Sequence, residues 1–248
     1  MTYKAKSSLT LAGMKLSVTM FLLASTLHAQ DLSSRLSQPA NYQPKATTTL
    51  QQLIEVAQHY RIPMGIEWIH ETKTEDAPLT ETIKPRTVND LITAILNRSP
   101  GYLAQQRDGV LQIVKTDFLD KRENFLNLRL STFELDNENI FGAEHYLSLH
   151  IKMELHPDRG YGGGFGYGGD RDDGFDKHNI TLAGNDLTVR EILNKIVITQ
   201  GNALWVVQFS PSQKMADEPF RAQVSMHDNQ TQPDFYFHFI ALGRSLLQ

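Results

Sequence analysis

One helix-start motif occurs twice in this chain of 248 residues, and it restricts the fold more than any other feature of the sequence. Residues 87–92 (TVNDLI) and residues 188–193 (TVREIL) lie 101 positions apart. In both copies a threonine precedes an acidic residue by three positions, which is the capping box that begins many helices. Apolar residues then recur every three or four positions, as on one face of a helix. The repeat predicts two related units, each with a capped amphipathic helix.

The residues around the first motif indicate a small unit of helices and strands. Thr48 or Thr49 is positioned to cap an earlier helix, which Pro63 ends. Residues 64–69 have the composition of a strand, and residues 82–84 form a short extended piece. Two further strands, joined by an Asp-Gly hairpin turn, complete the unit: residues 102–106 and residues 110–115.

The second unit repeats this order with an insertion. Ala143, His145, Tyr146 and His156 match Ala57, His59, Tyr60 and His70 at an offset of 86 residues. The two offsets differ by 15, which is the length of the glycine-rich segment 160–174 (GYGGGFGYGGDRDDG). Strands are predicted at residues 125–135 and 203–209, and residues 235–242 predict a further strand that adds an edge.

These patterns predict an α+β fold of two tandem small modules, each with two helices packed on short β-sheets. The predicted organisation is a linker over residues 30–47, module 1 over 48–116, module 2 over 124–209 with its insert at 160–174, and a polar tail over 210–248 that ends in a strand.

The first 29 residues have the organisation of a secretory signal peptide. Lys4, Lys6 and Lys15 precede or border an apolar stretch at residues 16–27, and Ala29 supplies a small residue for cleavage. The stretch is shorter than the roughly 20 residues that a membrane-spanning helix needs. We therefore expect a cleaved signal peptide, export to the periplasm and no membrane span in the mature chain.

Composition excludes several classes of site. The chain has no cysteine, which excludes disulfide scaffolds, Cys-ligated zinc, iron–sulfur clusters and thiol nucleophiles. Its formal net charge of −4 gives no reason to expect nucleic-acid binding. Trp68 and Trp205 lie on predicted strands, where tryptophan is expected to belong to the core.

The order of elements in module 1 resembles the STN domain, the short N-terminal domain of secretins and TonB-dependent receptors. The resemblance rests on residues 50–57 (LQQLIEVA) and residues 87–96 (TVNDLITAIL), and residues 125–209 look like a diverged second copy. Because only 39 residues follow position 209, we expect a free-standing tandem relative without a channel. The resemblance implies a periplasmic protein-interaction role, with a secretin, a TonB-linked receptor, a regulator or a further copy of the chain as partner.

The glycine-rich insert is the segment that the sequence favours for partner contact. Tyr161, Phe165 and Tyr167 alternate with glycines there and would form an adaptable contact surface. Residues 164–169 also match G-x-G-x-x-G, but the acidic residues that follow would repel phosphate, and no helix is predicted there. We predict no nucleotide or other cofactor at this segment.

A second class of function remains open, namely a periplasmic metal-binding or ligand-binding protein or an enzyme. Its candidate residues are a histidine cluster with neighbouring acids (Glu144, His145, His150, Glu154, His156) and an acidic loop (Asp170, Asp172, Asp173, Asp176). The histidine spacings of five and six point the rings in different directions on a helix, and the acidic loop fails the EF-hand spacing. We therefore predict a non-catalytic interaction protein with no metal site.

Overall fold

The structure, a computed structural model, describes residues 31–69, 85–121, 124–155, 179–210 and 234–242. The named helices are α1 (Thr49–Tyr60), α2 (Val88–Leu96), α3 (Ile140–Leu155) and α4 (Val189–Gln200). The strands are β1 (Met64–Ile69), β2 (Tyr102–Arg107), β3 (Val110–Lys115), β4 (Arg129–Glu138), β5 (Ile180–Thr188), β6 (Ala203–Ser210) and β7 (Asp234–Ala241). The predicted α+β class is confirmed.

Local signals define the helix starts and the hairpin turn. Thr87 and Thr188 are the N-cap residues of α2 and α4, and both complete the predicted capping box with the acidic residue three positions later. Thr48 caps α1 by accepting a hydrogen bond from the backbone N–H of Gln51. Asp108 and Gly109 both have positive φ, as a two-residue type I′ turn between β2 and β3 requires.

One five-stranded sheet takes strands from both halves of the sequence. Its order is β2-β3-β1-β6-β7, with β1 parallel to both β3 and β6, and with β2 and β7 antiparallel to their neighbours. The remaining strands, β4 and β5, form a separate antiparallel pair. The expected division into two modules with their own sheets is therefore not confirmed, because β6 of the second half pairs along β1 of the first.

The five-stranded sheet, called the central sheet below, has a hydrophobic core on each face. On one face α1 and α2 pack against alternate residues such as Ile66, Ile113 and Val206. On the other face α3, α4 and the β4–β5 pair cover Trp205, Val207 and further alternate residues. Trp68 and Trp205 are both buried, as predicted. A sheet covered on both faces explains why β1, β3 and β6 are almost continuously apolar.

The segment predicted to be a linker is packed against α1 and α2. Residues 31–36 are helical, and Leu32 and Leu36 are buried in the core that α1 and α2 cover. The chain then bonds to the start of α2, where the N–H of Val88 donates to the carbonyl of Gln38 at 2.9 Å. The linker predicted over residues 30–47 is therefore corrected at residues 31–36, which form a helix packed in the core. Two leucines spaced four apart were too short a pattern to outweigh the polar residues and prolines around them.

One strand boundary and one whole strand also differ from the predictions. Residues 125–127 form a short 3₁₀ turn, and the strand predicted at 125–135 begins at Arg129 instead. Strand β5 was not predicted, since Gly184 and the polar residues after it weaken its alternation. The expected edge strand is present as β7, paired with β6. None of the described helices is both long enough and apolar enough to cross a membrane.

Candidate functional site

The central sheet has two edge strands, and their outward backbone groups have different surroundings. Strand β2 forms one edge and β7 the other. A sheet edge presents backbone N–H and C=O groups that another strand can pair with, so a folded protein has to use it or cover it. The groups that face outward on each strand follow from the hydrogen-bonding register.

On β2 the turn determines which residues face outward. A two-residue turn makes Arg107 and Val110 a hydrogen-bonded pair, and such pairs alternate along an antiparallel ladder. The N–H of Thr116 donates to the carbonyl of Gly101 at 2.9 Å, which agrees with this alternation. The backbone groups of Ala104 and Gln106 therefore point away from β3. Within the described ranges no strand pairs with this outer edge.

The side chains of β2 are exposed or half-buried, and the hydroxyl of Ser33 donates to the side chain of Gln106 at 3.2 Å. Leu103 is 36% exposed, while Gln106 and Arg107 are also exposed and Ala104 and Gln105 are half-buried. The strand has no proline, no lysine and no bulge, which are the devices that commonly protect an edge. Its single charged residue, Arg107, lies at its end, 3.6 Å from carboxylate oxygens of Asp108 and Glu191. The strand is thus a short, regular and nearly neutral edge.

On β7 two of the outward backbone groups are capped by side chains. The N–H of Leu242 donates to the carbonyl of Asn202, so the alternation makes Phe239 and Ala241 face outward. The carboxyl group of Glu144 on α3 accepts a hydrogen bond from the N–H of Phe239. The amide of Gln58 on α1 donates to the carbonyl of Ala241 at 3.0 Å. Each cap comes from a different face of the sheet.

The two caps are complementary groups on different helices. Gln58 and Glu144 lie 86 residues apart, the same offset at which residues 57–70 are aligned with residues 143–156. One supplies an N–H donor for a carbonyl, and the other supplies an oxygen acceptor for an N–H. Helices α1 and α3 therefore place a donor and an acceptor on a single edge strand.

Glu144 is buried in this position, and its environment favours the neutral form. Burial raises the pKa of Glu144 to about 8, while the hydrogen bond from Phe239 opposes that rise. A neutral carboxyl group still accepts the N–H of Phe239 through its carbonyl oxygen. The cap is therefore intact at neutral pH without a buried charge.

The β4–β5 pair carries the protection that β2 lacks. Its ladder is interrupted between Leu135 and Glu138, and Asn137 and Asp186 have positive φ. Exposed charged residues line it, including Arg129, which pairs with Asp186 at 2.7 Å. Bulges and charges of this kind discourage pairing with another chain. Among the described strands, β2 is the edge best suited to accept one.

A polar cluster between β1 and α4 joins the two halves of the chain. Glu67 on β1 forms an ion pair with Arg190 on α4, and both side chains are buried. Asn124 donates to Glu67 at 2.9 Å, and Asn127 accepts from Arg190 at 3.3 Å. Burial lowers the pKa of Arg190 to about 10, so it remains charged at neutral pH. Glu67, Asn124 and Arg190 are buried, whereas Asn127 is exposed. The buried ion pair therefore joins α4 to the sheet.

Close packing at the β1–β6 junction supports this cluster. Gly65 lies beside Trp205 in the sheet register, and the indole ring occupies the space above the glycine. A Cβ atom at position 65 would lie 2.3 Å from that ring. The indole N–H of Trp205 donates to Asn194 on α4 at 3.0 Å. The junction between the halves thus depends on glycine at position 65.

The residues predicted for partner or metal contact are only partly described. Tyr161, Phe165 and Tyr167, the acidic loop and His156 all lie outside the described residues. His145 is exposed on α3, whereas His150 is half-buried with its ring 5.4 Å from that of Phe133. No group of three or more His, Asp or Glu side chains in the described part of the chain is arranged to hold a metal ion.

Comparison with protein-family models, with curated proteins and with solved structures finds no match to this chain. The candidate site therefore rests on the geometry of the molecule itself.

Sequence reasoning predicted strands at both edges but did not identify which edge is accessible. The Asp-Gly turn was the available signal for β2, because it determines which residues of the strand face outward. Gln58 and Glu144 carried no such signal, since an amide and a carboxyl group on helices usually face solvent. Their role depends on where β7 lies.

Proposed function

We propose that this chain is an exported, non-catalytic protein-interaction module that binds an extended strand of a protein at the outer edge of β2. The observation that carries the proposal is the contrast between the edges. Ala104 and Gln106 present outward backbone groups, whereas on β7 the outward N–H of Phe239 and the outward carbonyl of Ala241 are capped. A chain that protects one edge with side chains from two helices and leaves the other regular is suited to binding there.

Strand addition would supply affinity through backbone hydrogen bonds and specificity through alternate side chains. Each backbone hydrogen bond contributes on the order of 1 kcal/mol net, and the half-buried and exposed side chains of β2 add contact area. The resemblance of residues 50–57 and 87–96 to STN domains agrees with this role. It favours an envelope partner: a secretin, a TonB-linked receptor, a regulator or a second copy.

The predicted signal peptide supports a periplasmic location, and the insert with Tyr161, Phe165 and Tyr167 remains a proposed second contact. Both proposals come from sequence pattern alone. Deleting residues 160–174 is expected to weaken partner capture without unfolding the rest of the chain, and undiminished capture would contradict that contact.

The test of strand addition uses proline as a backbone probe. A photocrosslinking residue replaces Gln106, and the chain is expressed with Ala104→Pro or with the control Ala104→Ser. Proline at 104 removes an N–H that β3 does not use, so β2 stays in the sheet while its outer edge loses a donor. We expect crosslinked species with the serine variant and their loss with the proline variant.

A probe at Gln51, which is exposed on α1, serves as the control position for nonspecific capture. Equal crosslinking of the proline and serine variants from position 106 would refute strand addition at β2. Thermal unfolding of both variants, measured alongside, establishes that the comparison is made between folded proteins.

A further inference from the structure

We infer that the strand taken up at β2 is β2 of a second copy, so that the chain forms a closed twofold dimer. This inference rests on the proposed function and names its partner. It follows from the number of available edges, from the register of the outward groups and from the distribution of charge along the strand.

The first argument concerns closure. A sheet with two accessible edges can pair head to tail without limit, which produces fibres, whereas pairing through one identical edge closes after two copies. Glu144 and Gln58 occupy outward groups of β7, so a β2–β7 pairing between copies would have to displace both. Pairing of β2 with β2 displaces neither cap. The arrangement of edges therefore selects the symmetric dimer.

The second argument concerns register. When two copies of β2 run antiparallel about a twofold axis at Gln105, the outward Ala104 of one copy lies opposite the outward Gln106 of the other. Such residues exchange both of their backbone hydrogen bonds in an antiparallel ladder. Gln105 then lies opposite its own counterpart, in a pair that is not hydrogen-bonded and whose side chains approach closely.

The third argument concerns charge. The strand carries one charged residue, and this register places Arg107 opposite Leu103 of the other copy, not opposite its own counterpart. The aliphatic part of the arginine can pack on the exposed leucine while its guanidinium group stays in solvent. Asp108 and Glu191 of the same chain lie near Arg107 and offset its charge. Two copies therefore meet without like charges directly opposite each other, which would be destabilising.

The absence of cysteine makes a direct test available. In the proposed register the two residues at 105 have Cα atoms about 4.5 Å apart, within the range that a disulfide spans. We expect Gln105→Cys to form an intermolecular disulfide under mild oxidation and the unmodified purified chain to have twice the mass of one copy by light scattering. The control, Glu134→Cys, places cysteine at an exposed position of β4 and is expected to stay unlinked.

The outcomes separate this inference from the proposed function. A monomeric chain whose position 106 crosslinks to a different protein, with loss in Ala104→Pro, would overturn the dimer and leave strand addition standing. A dimer that Glu134→Cys links and Gln105→Cys does not would also overturn it. A monomer with no crosslink from position 106 would contradict both. Conversion of the dimer to monomer by Ala104→Pro and not by Ala104→Ser would support the inference independently of the disulfide.

Discussion

The two edge strands of the central sheet, β2 and β7, differ in whether side chains of the same chain bond to their outward backbone groups. Strand β7 comes from the far end of the described chain, and side chains from α1 and α3 cap two of its outward backbone groups. Strand β2 belongs to a tight local hairpin and leaves its outward backbone groups facing away from the sheet. The edge strand that is distant in sequence, β7, is thus protected by tertiary contacts. The edge strand formed by a local hairpin, β2, has a regular backbone without such contacts among the described residues.

Protection of this edge comes from the helices that also fill the two cores. Gln58 on α1 and Glu144 on α3 reach β7 from opposite faces of the sheet, one as a donor and the other as an acceptor. Each helix thus buries apolar residues and also satisfies one backbone group of the same strand.

The largest expected loss of unfolding free energy comes from removing the buried ion pair that joins α4 to the central sheet. Arg190→Met removes the partner of Glu67 and leaves a buried carboxylate unpaired, which costs about 3–5 kcal/mol of unfolding free energy. The matched control is Arg35→Met, because Arg35 is only half-buried and its partner Asp31 is exposed, and such surface pairs contribute about 1 kcal/mol or less. Urea unfolding measures both, and equal losses would show that the buried pair does not hold the halves together.

The second prediction concerns how the contribution of Glu144 to the unfolding free energy depends on pH. The pKa of Glu144 is raised from 4.5 to about 8 in the folded chain, so its contribution to stability is full below pH 4.5 and is lost as pH rises to 8. The slope is at most about 1.4 kcal/mol per pH unit. Glu144→Gln keeps an acceptor for Phe239 and does not ionise. We expect the difference in unfolding free energy between the native chain and this variant to fall across that window and to be level outside it.

Subtracting the unfolding free energy of Glu144→Gln from that of the native chain at each pH removes the contributions of other groups. One such group is His238, whose pKa is lowered by burial to about 4. A difference that stays constant from pH 4.5 to 8 would mean that Glu144 ionises in the folded chain as it does when unfolded, and that the cap on β7 is not buried.

The third prediction removes a cap. Glu144→Ala at pH 6 leaves the N–H of Phe239 without its acceptor, which costs about 1–3 kcal/mol. The exposed Glu154 on the same helix provides the control Glu154→Ala, which we expect to leave stability unchanged within about 0.5 kcal/mol. Uncapping also makes β7 available, so light scattering should detect species larger than a dimer. Identical behaviour of the two variants would remove the proposed difference between the edges.

The smallest expected effect is on β2 itself. At protein concentrations low enough for the chain to be monomeric, Ala104→Pro should change the unfolding free energy by no more than about 0.5 kcal/mol, because its N–H faces outward and forms no bond within the sheet. Leu103→Pro removes an N–H that bonds to the buried Val114 of β3, and we expect a loss of about 1–3 kcal/mol. Thermal or urea unfolding distinguishes the two. A reversed order would mean that the alternation along β2 is assigned to the wrong residues.

Sequence patterns predicted the local elements because the contacts that form them lie within a few residues. Thr87 and Thr188 cap helices through the residue three positions later, and Asp108-Gly109 turns a hairpin between immediate neighbours. Pattern failed at residues 31–47, where two leucines pack against helices far along the chain, and at β5, where a glycine interrupts the alternation. The caps on β7 were also missed, since nothing near Gln58 or Glu144 in the sequence indicates a strand edge.

The sequence by itself therefore determined an α+β chain with a repeated capped helix, a tight hairpin, no cysteine chemistry and a buried role for both tryptophans. Only the tertiary structure decided that β6 pairs with β1 of the other half, that Glu67 meets Arg190, and that one sheet edge is covered while the other stays regular. The physical reason is range. Caps and turns are satisfied by neighbouring residues, whereas strand order and edge protection depend on which distant segments can bury their surfaces together.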